Sequence, residues 1–312
     1  SPYEFSVLPA DILGQVYERF LGKVIRLTNN RAVIEEKPEV KKAGGVYYTP
    51  TYVVRYIVKG TISPMLEGRT PSQVSGVDKR MRDMRPLRVI DPACGSGSFL
   101  IEAYDFLLDW YRDQYIKDGP EKHSRGKSPL LLQAGKGDWR LTIAERRRIL
   151  LTHIYGVDVD PQAVEVTKLS LLLKVLEGET ADNVARQMDL FNVRALPDLG
   201  ANIKCGNTLV SSDFYSQHEM GIFSEDELFR INAFDWPEEF SFFDSEGGFD
   251  VVIGNPPYGA TLVAEEKQYF KDKYRHQSYQ YDSYLLFMEQ SISKLLRKDG
   301  YFGMIIPNPW LT

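Results

Sequence analysis

The sequence has few of the residues that cross-link chains or bind metals. Its 312 residues include two cysteines, Cys94 and Cys205, and four histidines that share no metal-ligand spacing. A disulfide framework and a four-ligand zinc site are therefore excluded. No apolar run approaches the roughly 20 residues that a membrane span needs. We expect a cytoplasmic protein without a metal site or a membrane segment.

The sequence also has no excess of positive charge, because it contains 38 Lys and Arg but 43 Asp and Glu, and its net charge is −5. A nucleic-acid contact would therefore be local or made by another segment. The chain begins at Ser1-Pro2 without an initiator Met and stops after a strand-like run. We expect it to be part of a longer protein.

Short β-rich runs alternate with helical patterns from Leu87 onward. The predicted strands are 88–91, 154–158, 202–205, 249–253 and 301–306, and the predicted helices are 51–65, 99–115, 161–176 and 283–296. This alternation is typical of βαβ units. It predicts an α/β, Rossmann-like, doubly wound and mainly parallel sheet, with residues 117–139 as a surface insertion.

The first 42 residues differ from this pattern. Apolar residues from Ala10 to Leu27 recur at spacings of three and four, which predicts an amphipathic helix. We interpret residues 1–42 as a helical connector and residues 43–312 as the α/β domain, incomplete at its C-terminus. Glu35 and Lys37 have the Glu-x-Lys spacing of a nuclease site. They lie in a charge run without a predicted strand before them, so we interpret the spacing as coincidence.

A glycine-containing turn follows the first predicted strand of the domain. Gly95 and Gly97 lie between a strand and a helix, where backbone can approach a nucleotide-type ligand. Leu100 replaces the third glycine of the dinucleotide pattern, which disfavours NAD. A tight turn without a ligand remains the alternative. Asp91 at the end of the strand can meet a cationic ligand.

Two acids lie at the end of the next predicted strand. Asp160 directly precedes Pro161, an arrangement typical of a helix N-cap. Asp158 ends the strand, where a carboxylate can accept both hydroxyls of a ribose. A solvated strand end is the alternative.

A predicted buried strand is followed by the segment Asn255-Pro256-Pro257-Tyr258, whose groups suit the binding of a planar amine. The prolines fix the backbone, so the Asn255 amide and the Pro256 carbonyl offer two acceptors to a planar amine. Tyr258 supplies a ring on which a flat base can stack. A proline-capped strand exit with a buried tyrosine is the structural alternative.

These residues resemble motifs of the N6-adenine DNA methyltransferases of restriction-modification systems, especially type IIG fusion enzymes and type I modification subunits. The matching segments, in the family's order, are 45–50 (motif X), 91–99 (motif I), Asp158 (motif II), 205–209 (motif III) and 255–258 (motif IV). The resemblance implies that S-adenosylmethionine is the cofactor. It implies cofactor contacts from Tyr48, Thr49, Pro50, Asp91, Ala93, Gly95, Gly97, Asp158 and Asn207, and catalytic roles for Asn255, Pro256, Pro257 and Tyr258.

The same resemblance implies sequence-specific methylation of adenine N6 in double-stranded DNA, with the base flipped out of the helix. Recognition would come mainly from a C-terminal domain outside this chain, and a nuclease would be fused or associated. Basic and aromatic residues between Lys267 and Tyr279 predict a loop along the DNA, and a solvated loop is the alternative. Two alternatives stay open: methylation of a protein glutamine or of RNA, and a non-catalytic DNA-recognition or scaffold module that retains the cofactor fold.

Overall fold

The computed structural model describes residues 23–28, 31–36, 49–78, 85–179, 196–216, 231–258, 264–275 and 282–307. Its strands are β1 (Lys23–Thr28), β2 (Arg31–Glu36), β3 (Val89–Asp91), β4 (Leu131–Gly135), β5 (Asp138–Leu141), β6 (Ile154–Asp158), β7 (Ile203–Cys205), β8 (Phe249–Gly254) and β9 (Leu296–Met304). Its helices are α1 (Thr51–Leu66), α2 (Pro71–Val74), α3 (Ser98–Lys117), α4 (Pro120–His123), α5 (Ile143–His153), α6 (Pro161–Leu176), α7 (Asp213–Ser216), α8 (Trp236–Glu239), α9 (Phe243–Glu246), α10 (Ala264–Lys273) and α11 (Ser283–Gln290). Among the described residues, no helix combines the length and apolarity needed to cross a bilayer.

β3 lies at the centre of a five-stranded sheet with the order β7-β6-β3-β8-β9. All four neighbouring pairs are parallel, which confirms the predicted Rossmann-like, doubly wound fold. The chain adds β6 and β7 on one side of β3 and then returns to add β8 and β9 on the other. Open α/β sheets bind ligands where the strand order reverses, at the carboxyl ends of the strands. This places the candidate site between the ends of β3 and β8.

Alternate residues of β8 face two hydrophobic layers, as the period of two in a strand requires. Val251 and Ile253 belong to the layer that contains Val58 of α1 and residues of α3 and α6. Val252 belongs to the opposite layer, which is rich in aromatic side chains such as Trp236. The sheet is therefore buried on both faces, and its functional groups lie at its edge.

The predicted helix from Ala10 to Leu27 is wrong at its C-terminal end, where the structure has a β-hairpin. β1 pairs antiparallel with β2, from Lys23 with Glu36 to Thr28 with Arg31. The β-branched residues of this stretch suit a strand as well as a helical face. Glu35 therefore lies on a strand that the sequence analysis did not predict, whereas Lys37 and residues 1–22 lie outside the described part. That the Glu-x-Lys spacing is coincidence stays a prediction.

Three further elements differ from the sequence expectation. The predicted insertion at 117–139 contains α4 and much of an antiparallel hairpin formed by β4 and β5, and α5 follows it. The helix predicted for 283–296 ends at Gln290 and continues as a π-helical turn, Ser291–Leu295. β9 accordingly begins at Leu296, five residues earlier than predicted.

Candidate active site

Two of the predicted cofactor-binding acids hold the turn that follows β3. Asp91 Oδ1 accepts a hydrogen bond from the Ala93 N–H at 3.0 Å, and Asp158 Oδ2 accepts one from the Gly95 N–H at 2.8 Å. Gly95 has φ of +53°, and a Cβ at this residue would have no heavy atom within 4 Å. The missing side chain therefore leaves open space beside the turn, which a ligand can fill.

Two buried threonines that sequence reasoning missed anchor the same turn. Thr167 of α6 donates from Oγ1 to the Gly95 carbonyl at 2.8 Å, and Thr208 donates to the Pro92 carbonyl at 3.1 Å. These partners lie 72 and 116 residues apart in the chain. No local pattern marks a threonine for such a contact, so only the packing of α6 and the segment after β7 reveals it.

Gly97 serves the packing of the turn against α6. Its φ is +83°, and a Cβ there would lie 2.8 Å from Thr167 Cγ2. Gly137 has the same φ, but a Cβ there would meet nothing within 4 Å. Substitution of each glycine by alanine therefore separates the free-energy cost of the backbone conformation, which both share, from that of the steric clash, which only Gly97 has.

We expect Gly97→Ala to lower the free energy of unfolding more than Gly137→Ala does. Both variants strain the backbone by roughly 1–3 kcal/mol, and Gly97→Ala adds overpacking against Thr167, about 1–3 kcal/mol more. Urea unfolding of the two variants measures the difference. Equal losses would show that the contact between Gly97 and Thr167 relaxes without cost.

Asp158 and Asp160 have the separate positions that the sequence predicts. Asp160 is confirmed as the N-cap of α6, since its side chain accepts from the Gln162 N–H at 2.9 Å. Asp158 Oδ1 accepts from the Asp160 N–H at 2.9 Å. Each oxygen of Asp158 keeps a further lone pair for a ligand hydroxyl. Val159 between them is 51% exposed, which leaves an apolar side chain beside this carboxylate.

Asp91 is a buried acid with a strongly raised pKa. It is 2% exposed, and burial, together with the nearby charge of Asp158, raises its pKa to about 8. A cationic ligand would compensate for the cost of ionising it. Gly254, at the end of β8, lies against this carboxyl group, because a Cβ there would be 2.6 Å from Asp91 Oδ1. The contact sets the start of the turn formed by residues 255–258 directly beside the turn that contains Gly95 and Gly97.

The catalytic candidate Asn255 is half-buried and hydrogen-bonded at both ends of its amide. Its Nδ2 donates to Thr49 Oγ1 at 3.1 Å, and its Oδ1 accepts from the Tyr258 hydroxyl. Thr49 is buried, and Pro50 is the exposed N-cap residue of α1. The fold therefore brings the segments around residues 49 and 255 together, as the resemblance implies. Tyr48 lies outside the described residues.

α11 supports the rest of the turn formed by residues 255–258. The Ser283 hydroxyl donates to the Pro257 carbonyl at 2.6 Å, and the Tyr284 ring meets Tyr258 edge-on with centroids 6.3 Å apart. Pro256 is buried and Pro257 is exposed. In the sequence, Ser283 only marks the start of a helix, so its bond to the turn was not predicted.

Asn207 has a structural contact besides its expected role at the cofactor. Its Oδ1 accepts from the Leu209 N–H at 3.2 Å, and its own N–H donates to the Asn232 carbonyl at 2.6 Å. These bonds are typical of a turn residue. Contact of Asn207 with the cofactor stays a prediction.

The loop predicted after Lys267 is wrong in its described part, whereas contact of its basic residues with DNA stays a prediction. Residues 264–273 form α10 instead of a loop. Lys273 Nζ lies 2.8 Å from Asp213 Oδ2 and 2.6 Å from the Tyr269 hydroxyl, and Tyr274 is buried and donates to the Leu209 carbonyl. Tyr274 therefore packs in the protein interior, and Lys273 forms its ion pair at the protein surface. His276 and Tyr279 lie outside the described residues.

Comparison with known proteins identifies relatives along the whole chain. The chain is 33% identical over its full length to "Type II restriction enzyme and methyltransferase RM.Eco57I" of Escherichia coli, of which it covers 28%. It is 24% identical over 98% of its length to "Putative type II restriction enzyme and methyltransferase RM.MjaORFECS2P" of Methanocaldococcus jannaschii, of which it covers 34%. The chain thus spans about a third or less of these curated relatives.

A solved structure, that of the type IIL restriction-modification enzyme MmeI in complex with DNA, aligns with 93% of this chain and 32% of its own, at 13% identity and a TM-score of 0.47. The model of the "RMKL-like, methyltransferase domain" matches residues 80–194. The model described as "Eco57I restriction-modification methylase" matches residues 152–312, which is more than half of the chain. The chain belongs to the Eco57I restriction-modification methylase family.

Proposed function

We propose that this chain is the methyltransferase region of a restriction-modification enzyme and that it methylates adenine N6 in DNA. The observation that carries the proposal is the position of the Asn255-Pro256-Pro257-Tyr258 turn, which starts against the Asp91 carboxyl group at the switch point of the sheet. Family membership supports the same activity. The chain covers about a third or less of these relatives, so the activity of the whole protein is part of this proposal.

The residues around the glycine turn fit S-adenosylmethionine, a ligand with two positive charges, a ribose and an adenine ring. The buried Asp91 suits a cationic group, because its pKa is raised and no ion pair within the described part of the chain includes it, and Asp158 would accept the ribose hydroxyls. Val159 offers an apolar surface to the ring. The bound cofactor would supply a methyl group activated by a positively charged sulfur.

In the proposed mechanism, Asn255 Oδ1 and the Pro256 carbonyl accept hydrogen bonds from the two N–H groups of the adenine amine. These acceptors orient the amine and favour its lone pair as the nucleophile, so that positioning supplies most of the rate. The target base lies inside the DNA duplex, so it must be flipped out to reach this turn, and the Tyr258 ring would stack on it. The base would displace the Tyr258 hydroxyl from Asn255 Oδ1.

The proposal is tested with the full-length protein that contains this chain and a cofactor carrying a labelled methyl group. Duplex DNA of mixed sequence, RNA and protein substrates are offered in parallel, and labelled DNA is digested to nucleosides. We expect label in N6-methyladenine. Label in RNA or in a protein glutamine alone would overturn the proposal in favour of those substrates, and a protein that binds no cofactor would be a recognition module.

Cofactor affinity should fall as the medium becomes acidic. With a pKa of about 8, free Asp91 is protonated at pH 7, and binding of a cation releases this proton. We expect the affinity to fall about tenfold from pH 7 to pH 6, a range in which the amino group of the cofactor stays protonated. Calorimetry in buffers of different ionisation enthalpy measures the proton release.

The Asp91→Asn variant is the control, and it should bind the cofactor more weakly and without release of a proton. A wild-type affinity that is constant over this range would mean that Asp91 is already ionised in the free protein.

A further inference from the structure

Asn255 is hydrogen-bonded to a residue 206 positions earlier in the chain. The acceptor is the hydroxyl of Thr49, which is 8% exposed and lies just before α1. We propose that Thr49 is a positioning residue, whose hydroxyl holds the Asn255 amide so that Oδ1 is presented to the amine of the target base. This inference rests on the proposed function, and it assigns Thr49 a role in addition to the implied cofactor contact.

The chemistry of an amide explains why such a partner is needed. The last side-chain bond of asparagine rotates in a broad potential, and the two ends of the amide are similar in shape but opposite in hydrogen bonding. An Asn255 turned by half a rotation would present Nδ2, a donor, to an amine that also offers donors. The contact with Thr49 occupies Nδ2 and leaves Oδ1 for a donor, a position that the Tyr258 hydroxyl fills in this structure.

Thr49 also makes Oδ1 a better acceptor. A hydrogen bond donated from Nδ2 polarises the amide and strengthens the bond accepted at Oδ1. The resulting chain runs from the target amine through Oδ1 and Nδ2 to the Thr49 hydroxyl. Removing the hydroxyl would leave Nδ2 of a half-buried side chain without this partner and would loosen the catalytic amide.

Three variants of the full-length protein test the inference. Thr49→Val keeps the shape and removes the hydroxyl, and Thr49→Ser keeps the hydroxyl. Thr61→Val is the matched control, since Thr61 is also buried and its hydroxyl bonds carbonyls of its own helix α1, those of Ile57 and Val58. Single-turnover methyl transfer at saturating cofactor and DNA is measured together with the Kd of the cofactor.

We expect Thr49→Val to slow transfer at saturating cofactor and DNA about tenfold, the scale of one net hydrogen bond, in addition to any rise in the cofactor Kd from loss of the implied cofactor contact. Thr49→Ser should retain the rate within about threefold, and Thr61→Val should match the wild type. In an Asn255→Ala background, Thr49→Val should cause no further loss, because both residues act through one amide. A weaker cofactor affinity with an unchanged saturated rate, or an additive loss in the double variant, would overturn the inference.

A second measurement does not depend on activity. In protein labelled with nitrogen-15 at asparagine, the side-chain signals of Asn255 are identified by their absence in Asn255→Ala. We expect their exchange with water to be slow in the wild type and in Thr49→Ser and at least severalfold faster in Thr49→Val. Unchanged exchange in Thr49→Val would overturn the inference. Faster exchange in a protein that transfers no methyl group to DNA would support the role of Thr49 while the proposed function fails.

Discussion

Replacement of Asn255 by alanine is expected to slow methyl transfer about a hundredfold or more at saturating cofactor and DNA. The variant removes a preorganised acceptor for the adenine amine, and removal of one such group costs about 10²–10³-fold in rate in other enzymes. The Kd of the cofactor should hardly change, because the contacts of the side chain that the structure shows are to Thr49 and Tyr258 and not to the glycine turn. Single-turnover transfer of a labelled methyl group to duplex DNA measures the rate.

Asn207→Ala is the comparison variant for this measurement. It removes a side chain of the same size from the expected adenine end of the cofactor site, so it should raise the cofactor Kd and leave the saturated rate near that of the wild type. Its bond to the Leu209 N–H also predicts a small loss of stability. If the Asn255→Ala protein methylated adenine at the wild-type rate, Asn255 would have no part in catalysis.

Replacement of Asp158 by alanine is expected to weaken cofactor binding about a hundredfold. The variant removes two charge-assisted hydrogen bonds to the ribose, each of roughly 1.5–3 kcal/mol. The structure adds a second consequence, because Asp158 also accepts from the Gly95 and Asp160 N–H groups. The variant should therefore lower the free energy of unfolding as well, by about 1–3 kcal/mol. Calorimetry gives the affinity and urea unfolding gives the stability.

Asp160→Ala provides the matched control two residues away. It removes the N-cap of α6, which should cost about 1 kcal/mol of stability, and it should leave cofactor affinity unchanged. The pair thus separates a loss of affinity from a loss of stability. If both variants weakened the cofactor equally, the effect of Asp158 would come from local unfolding, and the ribose would be bound elsewhere.

The sequence predicted best those elements whose signals are local. β6 was predicted at its observed bounds, and α6 begins at Pro161 as the capping pattern before it indicates. β8 extends one residue beyond the prediction, to Gly254. In each case a continuous apolar run or a proline at the first helical position fixes the element through its own residues.

Prediction failed where one pattern suits two structures. Val24 and Ile25 fit the apolar spacing of a helix, but they lie on β1, because pairing with β2 satisfies the backbone in a way that periodicity does not reveal. Lys273 and Tyr274 looked like an exposed basic and aromatic loop. The packing of α10 against the segment after β7 instead gives Lys273 an ion pair with Asp213 and buries Tyr274.

The sequence by itself determined which chemical groups meet at one edge of the sheet, since Asp91 and Asp158 each end a strand, the turn from Asn255 to Tyr258 follows one, and parallel strands present their carboxyl ends at one edge. Only the tertiary structure decided which distant residues hold those groups. Thr167 and Thr208 anchor the glycine turn, and Thr49 bonds Asn255, across separations of 72 to 206 residues. Such contacts depend on how helices and loops pack around the sheet, and the spacing of residues along the chain carries no record of that packing.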